Sequence, residues 1–364
     1  MEYTPILNLL LEALAYLGRR ANGFTVQWLA DRLEREGVAD PERTRRLLAP
    51  IGSLMDRLDR EVELSGETLT SLFRDLPGFS YNTIGSYSPA FLLLFPLVSK
   101  FDGDLAHTLE AARQRTPERL AGDLAQTLEI SEETTAQWEL TGDDFSARVL
   151  ALSIPAESKV AILDLYHRPE SVLTPAAALL GPVLDFLKEN GETMTACCAP
   201  FTRKLLQEGP EQFLAQTSAL SSRCREDYRI YPFLFGLDTN LAVTPEGGGP
   251  VQVYCGILRQ SLQEALDSAR GPEYDVYNAI RLLADQTRFE ILCYLRDHNA
   301  YGQELAAKFG LSRNTIHHHM TKLLAAHLVK CTVDGNRVYY TVDAKSVCTL
   351  LNRQRQLLLP DPMP

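Results

Sequence analysis

Apolar residues recur every three or four positions along most of the chain, which is the spacing of one face of an α-helix. Near the N-terminus, this repeat is formed by Ile6, Leu10, Leu14 and Leu17. The tripeptide Asp40-Pro41-Glu42 predicts a helix start, because it combines a capping acid, a first-turn proline and an acid near the positive helix end. The polar segment 79–90 predicts a loop. Together these patterns predict a helical domain over residues 1–155.

The pattern changes between residues 156 and 271. Thr174-Pro175 predicts the start of a helix. Residues 228–237 and 251–257 are short, aromatic and β-branched, as strands are, and the sequence TPEGGGP between them predicts a hairpin or strand pair. Pro232 has no backbone donor, which favours an edge position. We expect residues 156–271 to form a helical region with a small β-hairpin, serving as a sensor or in dimerisation.

Residues 279–342 carry the most specific pattern in the chain. A first helix is expected to end at a turn at Asp285, and the apolar residues of the next helix are Phe289, Ile291, Leu292 and Leu295. A shorter helix is expected to end at Gly310, because glycine adopts the left-handed conformation at little cost. Ser312 then offers a side-chain oxygen that can cap the following helix.

The helix after Ser312 has one apolar and one polar face. Its apolar stripe is formed by Ile316, Met320, Leu323 and Leu324. Its polar face is formed by Arg313, Asn314, His317, His318 and Lys322. A hairpin with Asp334-Gly335 as a favoured turn pair follows. Helix, glycine turn, polar-faced helix and hairpin predict a winged helix-turn-helix over residues 272–364, so the expected fold class is mainly α.

This C-terminal region resembles the ArsR-type winged-helix repressors. The resemblance rests on LADQTRFEIL, ELAAKFGLSRNTIHHHMTKL and LVKCTVDGNRVYYTV, which agree in order and spacing. Gln286 departs from the family pattern, which has proline there, although Asp285 can still cap the helix. The resemblance implies binding to double-stranded DNA as a homodimer. The amphipathic segments 277–283 and 347–358 are the expected dimer contacts.

The residues expected to contact DNA lie on the recognition helix and the wing. They are Ser312, Arg313, Asn314, Thr315, His317, His318, Lys322, Asn336 and Arg337. Arginine and asparagine can bond guanine and adenine edges in the major groove, whereas Ser312, Thr315 and Lys322 are better placed for phosphates. The alternative for this polar face is simple solvation. His319 lies near the apolar stripe, where we expect it to pack in the core.

The net charge of −11 is distributed unevenly along the chain. Residues 275–359 hold 11 Lys/Arg and 7 Asp/Glu, a net charge of +4. Residues 1–274 hold 25 Lys/Arg and 39 Asp/Glu, a net charge of −14, and Asp361 adds −1. Basic charge that can meet phosphates is therefore concentrated in the C-terminal part.

No metal or other cofactor is expected. Consecutive helical residues point about 100° apart, so His317, His318 and His319 cannot converge on one ion. Members of the family that sense metals carry cysteines on the helix before the recognition helix, or acids and histidines on the last helix. The corresponding segments here, QELAAKFG and AKSVCTLLNRQRQLL, have neither pattern. For Cys197-Cys198, packing in a helical core is favoured over a redox or soft-metal sensor.

Enzymatic, secreted and membrane classes are not expected. The chain lacks the glycine-rich nucleotide loops, the HExxH zinc motif and the GxSxG nucleophile motif. It opens with the acidic MEYTP, and its longest apolar run, 91–98, is too short to span a bilayer. We therefore expect a cytoplasmic protein with reduced thiols.

The sequence thus predicts a transcriptional regulator whose N-terminal region senses an unknown small molecule or mediates dimerisation. The alternative is a helical protein-interaction module whose winged helix no longer binds DNA. Salt-dependent DNA binding separates the two, because phosphate contacts impose a steep dependence on salt.

Overall fold

The structure is a computed structural model. It describes residues 2–35, 41–79, 83–128, 141–152, 154–210, 213, 227–243, 245, 249–269, 272–311, 313–326, 328–334 and 337–359. The chain forms two compact units, Met1–Gln207 with Asp227–Ala265, and Glu208–Glu226 with Leu266–Pro364. The mainly α fold class is confirmed. The boundary expected at residues 155/156 falls inside the first unit, because the helices Gly142–Ala151 and Ala156–His167, on either side of it, pack against each other.

The first unit is built mainly from helices. Its helices are α1 (Leu9–Ala21), α2 (Val26–Arg35), α3 (Pro41–Glu61), α4 (Gly66–Phe73), α5 (Pro89–Leu94), the 3₁₀ helix η1 (Phe95–Lys100), α6 (Leu105–Arg113), α7 (Pro117–Thr127), α8 (Gly142–Ala151), α9 (Ala156–His167), α10 (Glu170–Glu189) and α11 (Gly191–Glu208). The expected start at Pro41 is confirmed. The start expected at Thr174-Pro175 is wrong by one turn, because α10 begins at Glu170 and runs through Pro175.

A four-stranded sheet completes the first unit, in the order β1-β2-β4-β3. Its strands are β1 (Glu2–Tyr3), β2 (Tyr228–Phe233), β3 (Asn240–Val243) and β4 (Val251–Gly256). Both predicted strand segments are confirmed, but they pair with each other in parallel. The hairpin is instead formed by β3 and β4, which are antiparallel. The edge position expected for Pro232 applies only locally. β2 lies inside the sheet, but β1 pairs with it only at Arg229 and Ile230, so Pro232 lies beyond that pairing.

Helix α1 lies at the centre of the first unit and packs against α4, α5 and α10. All its residues from Leu10 to Arg19 are buried. Gly18 allows the closest approach, because a Cβ there would lie 2.0 Å from the carbonyl oxygen of Ile84. No larger residue fits at that crossing, so the buried loop 83–88 is held directly against α1.

Two buried ionisable residues connect α1 to the end of β2. Both carboxyl oxygens of Glu12 accept backbone N–H groups, from Leu234 and Phe235, at 2.8 Å each. The Arg19 guanidinium donates to the carbonyl oxygen of Phe235 at 2.7 Å and to Asp238 at 3.0 Å. Burial lowers the pKa of Arg19 to about 10 and raises that of Glu12 to about 8.

Among the described residues, α10 is the one helix long and apolar enough to cross a membrane, and half of its most apolar stretch is buried. Its buried residues include Leu173, Leu180 and Leu187. It packs against α1, α4, α5 and α6. Those contacts are what a core helix of a globular unit makes.

The second unit contains the predicted winged helix. After α12 (Arg259–Ala269), its elements are α13 (Pro272–Leu283), α14 (Gln286–Asp297), β5 (Ala300–Tyr301), α15 (Gly302–Phe309), α16 (Arg313–Ala325), β6 (Val329–Asp334), β7 (Arg337–Val342) and α17 (Ala344–Leu358). The strands form an antiparallel sheet in the order β5-β7-β6. This arrangement confirms the winged helix-turn-helix. The register of β6 and β7 ends at Asp334 opposite Arg337, and residues 335–336 lie outside the described part.

The core of the second unit is formed mainly by the apolar faces of α14, α15 and α16. Its most buried members are Ile291, Leu295, Leu305, Ile316, Met320 and Leu323. Of the four apolar residues expected on α14, Ile291 and Leu295 are buried, whereas Phe289 is 52% exposed. The four-residue spacing of Ile291 and Leu295 places both side chains on one face, and Phe289 lies outside that face.

Candidate nucleic-acid interface

The first helix-to-helix turn depends on Asp285, the residue before α14. Its carboxylate accepts the backbone N–H of Arg288 at 2.9 Å, as an N-cap does. That bond, together with the nearby charge of Arg288, holds the pKa of Asp285 below its usual value. The expected cap is confirmed, and Gln286 in place of proline does not prevent it.

Arg288 makes a second connection that the sequence gave no reason to expect. Its Nε donates to the carbonyl oxygen of Leu282 at 2.7 Å, in the last turn of α13. Cations near the C-terminal end of a helix interact favourably with its unpaired carbonyls. One side chain of α14 therefore joins the end of α13 to the cap of α14.

The second turn, between α15 and α16, depends on Gly310. Its φ of +65° lies in the left-handed region, and its N–H donates to the carbonyl of Ala306. The N–H of Leu311 donates to the same carbonyl at 3.0 Å. Bonds of this kind end a helix by pairing its last carbonyls. The predicted stop at Gly310 is confirmed, and α16 begins three residues later.

Helix α16 buries one face in the winged-helix core. Ile316 is 1% exposed, and Met320 and Leu323 are fully buried. At about 100° per residue, positions 314 and 318 lie on the face opposite this stripe. The predicted apolar stripe is therefore confirmed for these three residues, and the helix presents another face away from its own domain.

The expected DNA-contacting residues are described to different extents. Lys322 is exposed and Thr315 is half-buried. Arg313, Asn314, His317 and His318 belong to α16, and Arg337 begins β7, but their side chains lie outside the described part of the structure, as do Ser312 and Asn336 altogether. The backbone therefore places seven of the nine on the recognition helix or the wing.

His319 has the packed position expected from its place near the apolar stripe. It is 8% exposed, and its Nδ1 lies 3.9 Å from the carboxylate of Asp285. Burial lowers the pKa of His319, and the Asp285 charge opposes this effect. The imidazole on α16 therefore packs close to the carboxylate that caps α14.

Within the described residues, no group of three histidine, cysteine or acidic side chains could hold a metal ion. In the same part of the chain, Cys197, Cys198, Cys255, Cys293, Cys331 and Cys348 are free thiols. Burial raises the pKa of the Cys197, Cys198 and Cys255 thiols. A raised pKa lowers the thiolate fraction, and the thiolate is the reactive and metal-binding form.

The comparisons with known proteins concern this same region. The family described as "Bacterial regulatory protein, arsR family" matches residues 285–330. HTH-type transcriptional regulator CmtR of Mycobacterium tuberculosis is 35% identical over 79 residues, which are 22% of this chain and 67% of CmtR. CmtR of Mycobacterium bovis matches equally well. HTH-type transcriptional regulator KmtR of M. tuberculosis is 33% identical over 76 residues, 21% of this chain and 58% of KmtR.

No solved structure matches the chain. The residues matched by the family run from Asp285, which caps α14, to Lys330 in β6. They therefore include the turn at Asp285, the turn at Gly310 and the helix α16. CmtR is 35% identical to this chain over two thirds of its own length. This similarity and the family match show that the chain belongs, through its C-terminal domain, to the ArsR family of bacterial regulatory proteins and is a DNA-binding regulator.

Proposed function

We propose that this regulator binds double-stranded DNA in the major groove through α16, with the wing reaching the backbone or the minor groove. The observation that carries the proposal is the burial of Ile316, Met320 and Leu323, which directs positions 314 and 318 away from the domain. A helix held in this way by a helix-turn-helix is the element that enters the groove in such proteins.

Within this proposal, the contacts divide into two kinds. Arg313, Asn314, His317 and His318 contact base edges, because arginine and asparagine form paired hydrogen bonds with guanine and adenine. The phosphate contacts come from Ser312, Thr315 and Lys322, whereas Asn336 and Arg337 on the wing reach the backbone or the minor groove. The net charge of +4 over residues 275–359 supports the electrostatic part.

The protein acts as a homodimer in this proposal, and α13 and α17 supply the interface. The two helices pack against each other within the second unit. They nevertheless leave large apolar side chains in solvent: Tyr277 is 58% exposed, Leu351 55% and Leu358 67%. Helix α17 has no buried residue within its own chain. Apolar surface concentrated on two packed helices is typical of a covered interface.

For the first unit, we propose a sensor or dimerisation role in a cytoplasmic regulator. Residues 1–274, which contain this unit, have a net charge of −14, so this part of the chain is repelled by DNA and suited to another partner. The competing function remains a protein-interaction module whose winged helix has lost DNA binding. The exposed apolar residues of α13 and α17 would also serve such a module.

The test is a competition binding assay on the full chain, with DNA fragments selected from genomic DNA and random duplexes at two salt concentrations. We expect a salt-dependent affinity with a preference for the selected sequences. Lys322→Ala should weaken binding to all sequences alike and reduce the salt slope by about 0.9, as the loss of one phosphate contact does.

The double substitution Asn314→Ala/His318→Ala should instead remove sequence preference. Each paired base contact discriminates by about 1–3 kcal/mol, so the specificity ratio should fall by roughly tenfold to several thousandfold. Lys188→Ala, an exposed lysine on α10, is the matched control and should change neither quantity. If the wild type shows no salt-dependent affinity, the interaction-module alternative is favoured. If it binds DNA but the double variant keeps its specificity ratio, the proposed orientation of α16 in the groove is wrong.

A further inference from the structure

A cavity of about 160 Å³ opens to solvent on the first unit, and its lining residues Arg46, Pro50 and Pro200 are exposed. Its walls come from α3, from α11, from the segment that joins β4 to α12, and from the first turn of α12. The wall is mainly apolar, and its apolar side chains are buried: Ile51 is 2% exposed, Phe201 6%, Ile257 6% and Leu258 5%. A site of this size is comparable with an engineered apolar cavity of about 150 Å³ that takes up benzene.

Two of the lining residues are prolines inside helices, Pro50 in α3 and Pro200 in α11. A proline removes one helical hydrogen bond and is about 3 kcal/mol less favourable than alanine in a helix interior. Both helices therefore carry a locally unfavourable residue at the same cavity. Natural sequences depart from local preferences mainly at functional or strained sites.

The charged residues of the lining are both cations, and Gln260 and Ser261 add neutral polar groups. Arg46 and Lys204 line the cavity, and no acidic residue does so among the described residues. The Lys204 side chain is 27% exposed and forms an ion pair with Glu264 on α12. An ammonium carries three donors and a guanidinium five, so both cations can serve a further acceptor. The half-buried Cys197 thiol has a raised pKa and adds no negative charge.

We propose that this cavity binds a small monocyclic aromatic carboxylate. The ring occupies the space between Ile51, Phe201 and Leu258, and the carboxylate meets Lys204 and Arg46 at the rim. The volume of the cavity limits the ligand to a single ring, and the two cations of the lining favour an acid. The role of this ligand as an effector rests on the proposed regulatory function, whereas its binding to the cavity does not.

The test is a calorimetric titration of the full chain with benzoate, and with benzyl alcohol as a neutral analogue of similar size. We expect one benzoate per chain. Lys204→Met should weaken benzoate binding by roughly ten- to a hundredfold, because one hydrogen bond between charged groups is lost. The same substitution should leave the weaker binding of benzyl alcohol unchanged, and Lys204→Arg should restore benzoate binding.

Three controls separate recognition from a loss of structure. Lys188→Met removes an exposed lysine outside the cavity and should have no effect. Glu264→Gln breaks the same ion pair while keeping the lysine, so benzoate affinity should be retained or raised. Ser261→Leu adds bulk to the lining and should abolish binding of both ligands, with the melting temperature as the measure of folding. Absence of benzoate binding, or equal weakening of both ligands by Lys204→Met, overturns the proposal.

A parallel DNA titration with and without saturating benzoate distinguishes this proposal from the regulatory function. If benzoate binds as described and DNA affinity changes, both are supported. If benzoate binds and DNA affinity is unchanged, the cavity proposal stands and the sensor role fails. If DNA binds with the expected salt dependence but benzoate does not bind, the cavity proposal alone fails.

Discussion

Glu12 offers the sharpest test of how the first unit is held together. It is 1% exposed on α1, and both its oxygens accept backbone N–H groups from Leu234 and Phe235. Burial disfavours the charged carboxylate, whereas the two hydrogen bonds favour it. Burial dominates, and the pKa of Glu12 rises from the ordinary 4.5 to about 8. The carboxyl group is therefore protonated at neutral pH.

This raised pKa has a defined effect on stability. Between pH 4.5 and about 8, the folded chain keeps a proton that the unfolded chain has released. Folding stability therefore declines as the pH rises through this window, and Glu12 contributes no further change above or below it. The two pKa values differ by about 3.5, which corresponds to roughly 5 kcal/mol of unfolding free energy at 1.36 kcal/mol per pKa unit.

Glu12→Gln keeps the shape of the side chain and removes its titration. The amide oxygen can accept one backbone N–H, but the amide NH₂ then faces the other, and an unsatisfied buried donor costs about 1–3 kcal/mol. We expect the variant to be less stable than the wild type by that amount at pH 5. By pH 9 the wild type should be the less stable of the two, because it alone has lost the stability associated with the Glu12 proton.

The assay is urea-induced unfolding followed by circular dichroism at several pH values from 5 to 9. Glu63→Gln, a change at an exposed residue before α4, is the control and should follow the wild type throughout. If the unfolding free energies of Glu12→Gln and the wild type differ by a constant amount from pH 5 to 9, then the pKa of Glu12 is not raised as described. It would mean that the two N–H bonds hold the carboxylate ionised despite its burial.

Three further predictions concern the winged helix. Gly310→Ala should destabilise the second unit by about 1–2 kcal/mol, because a Cβ is disfavoured at a φ of +65°, and urea unfolding measures this. Asp285→Ala should remove about 1 kcal/mol near pH 7. Because the folded pKa of Asp285 is lowered, this loss should fade as the pH falls below its usual 3.8, as unfolding at pH 3 would show. Added zinc or a chelator should leave DNA affinity unchanged in the competition assay, and a stoichiometric zinc effect would contradict this.

The winged helix was predictable because its signals are local. The Gly310 stop, the Asp285 cap and the Ile316–Met320–Leu323 stripe each depend on residues within about one or two turns of each other. All three appear in the structure where the sequence places them. The connection of Arg288 to Leu282 was missed, since nothing in the residue spacing distinguishes it from an ordinary surface arginine on a helix.

The sheet of the first unit was only partly predictable. The alternation and composition of β2 and β4 identify strands, but not whether they run parallel. Parallel pairing depends on which distant segments meet, and here residue 228 pairs with residue 251 while residue 2 pairs with residue 229. Strand β3 has four residues and no strong pattern, so the hairpin partner of β4 was assigned to the wrong segment.

Helix α1 shows a signal that the analysis of a single apolar stripe overlooked. The sequence LLLEALAYLG is apolar on every side, which is typical of a helix buried all round. Its two buried ionisable residues, Glu12 and Arg19, have partners more than 200 positions away, at Phe235 and Asp238. No periodicity within α1 indicates such partners, so Glu12 and Arg19 could not be assigned from the sequence.

The cavity of the first unit, like the partners of α1, could not be found from a sequence motif. The cavity is built from three segments, near residues 46–51, 197–204 and 257–261, so no spacing connects its residues. The sequence contains one local signal, the prolines that stand inside otherwise regular helical patterns. Thr174-Pro175 predicts a helix start, yet α3, α10 and α11 all continue through prolines. Where two such helices line one cavity, their prolines indicate where the chain departs from ideal packing, and the adjacent cations indicate what charge the site accepts.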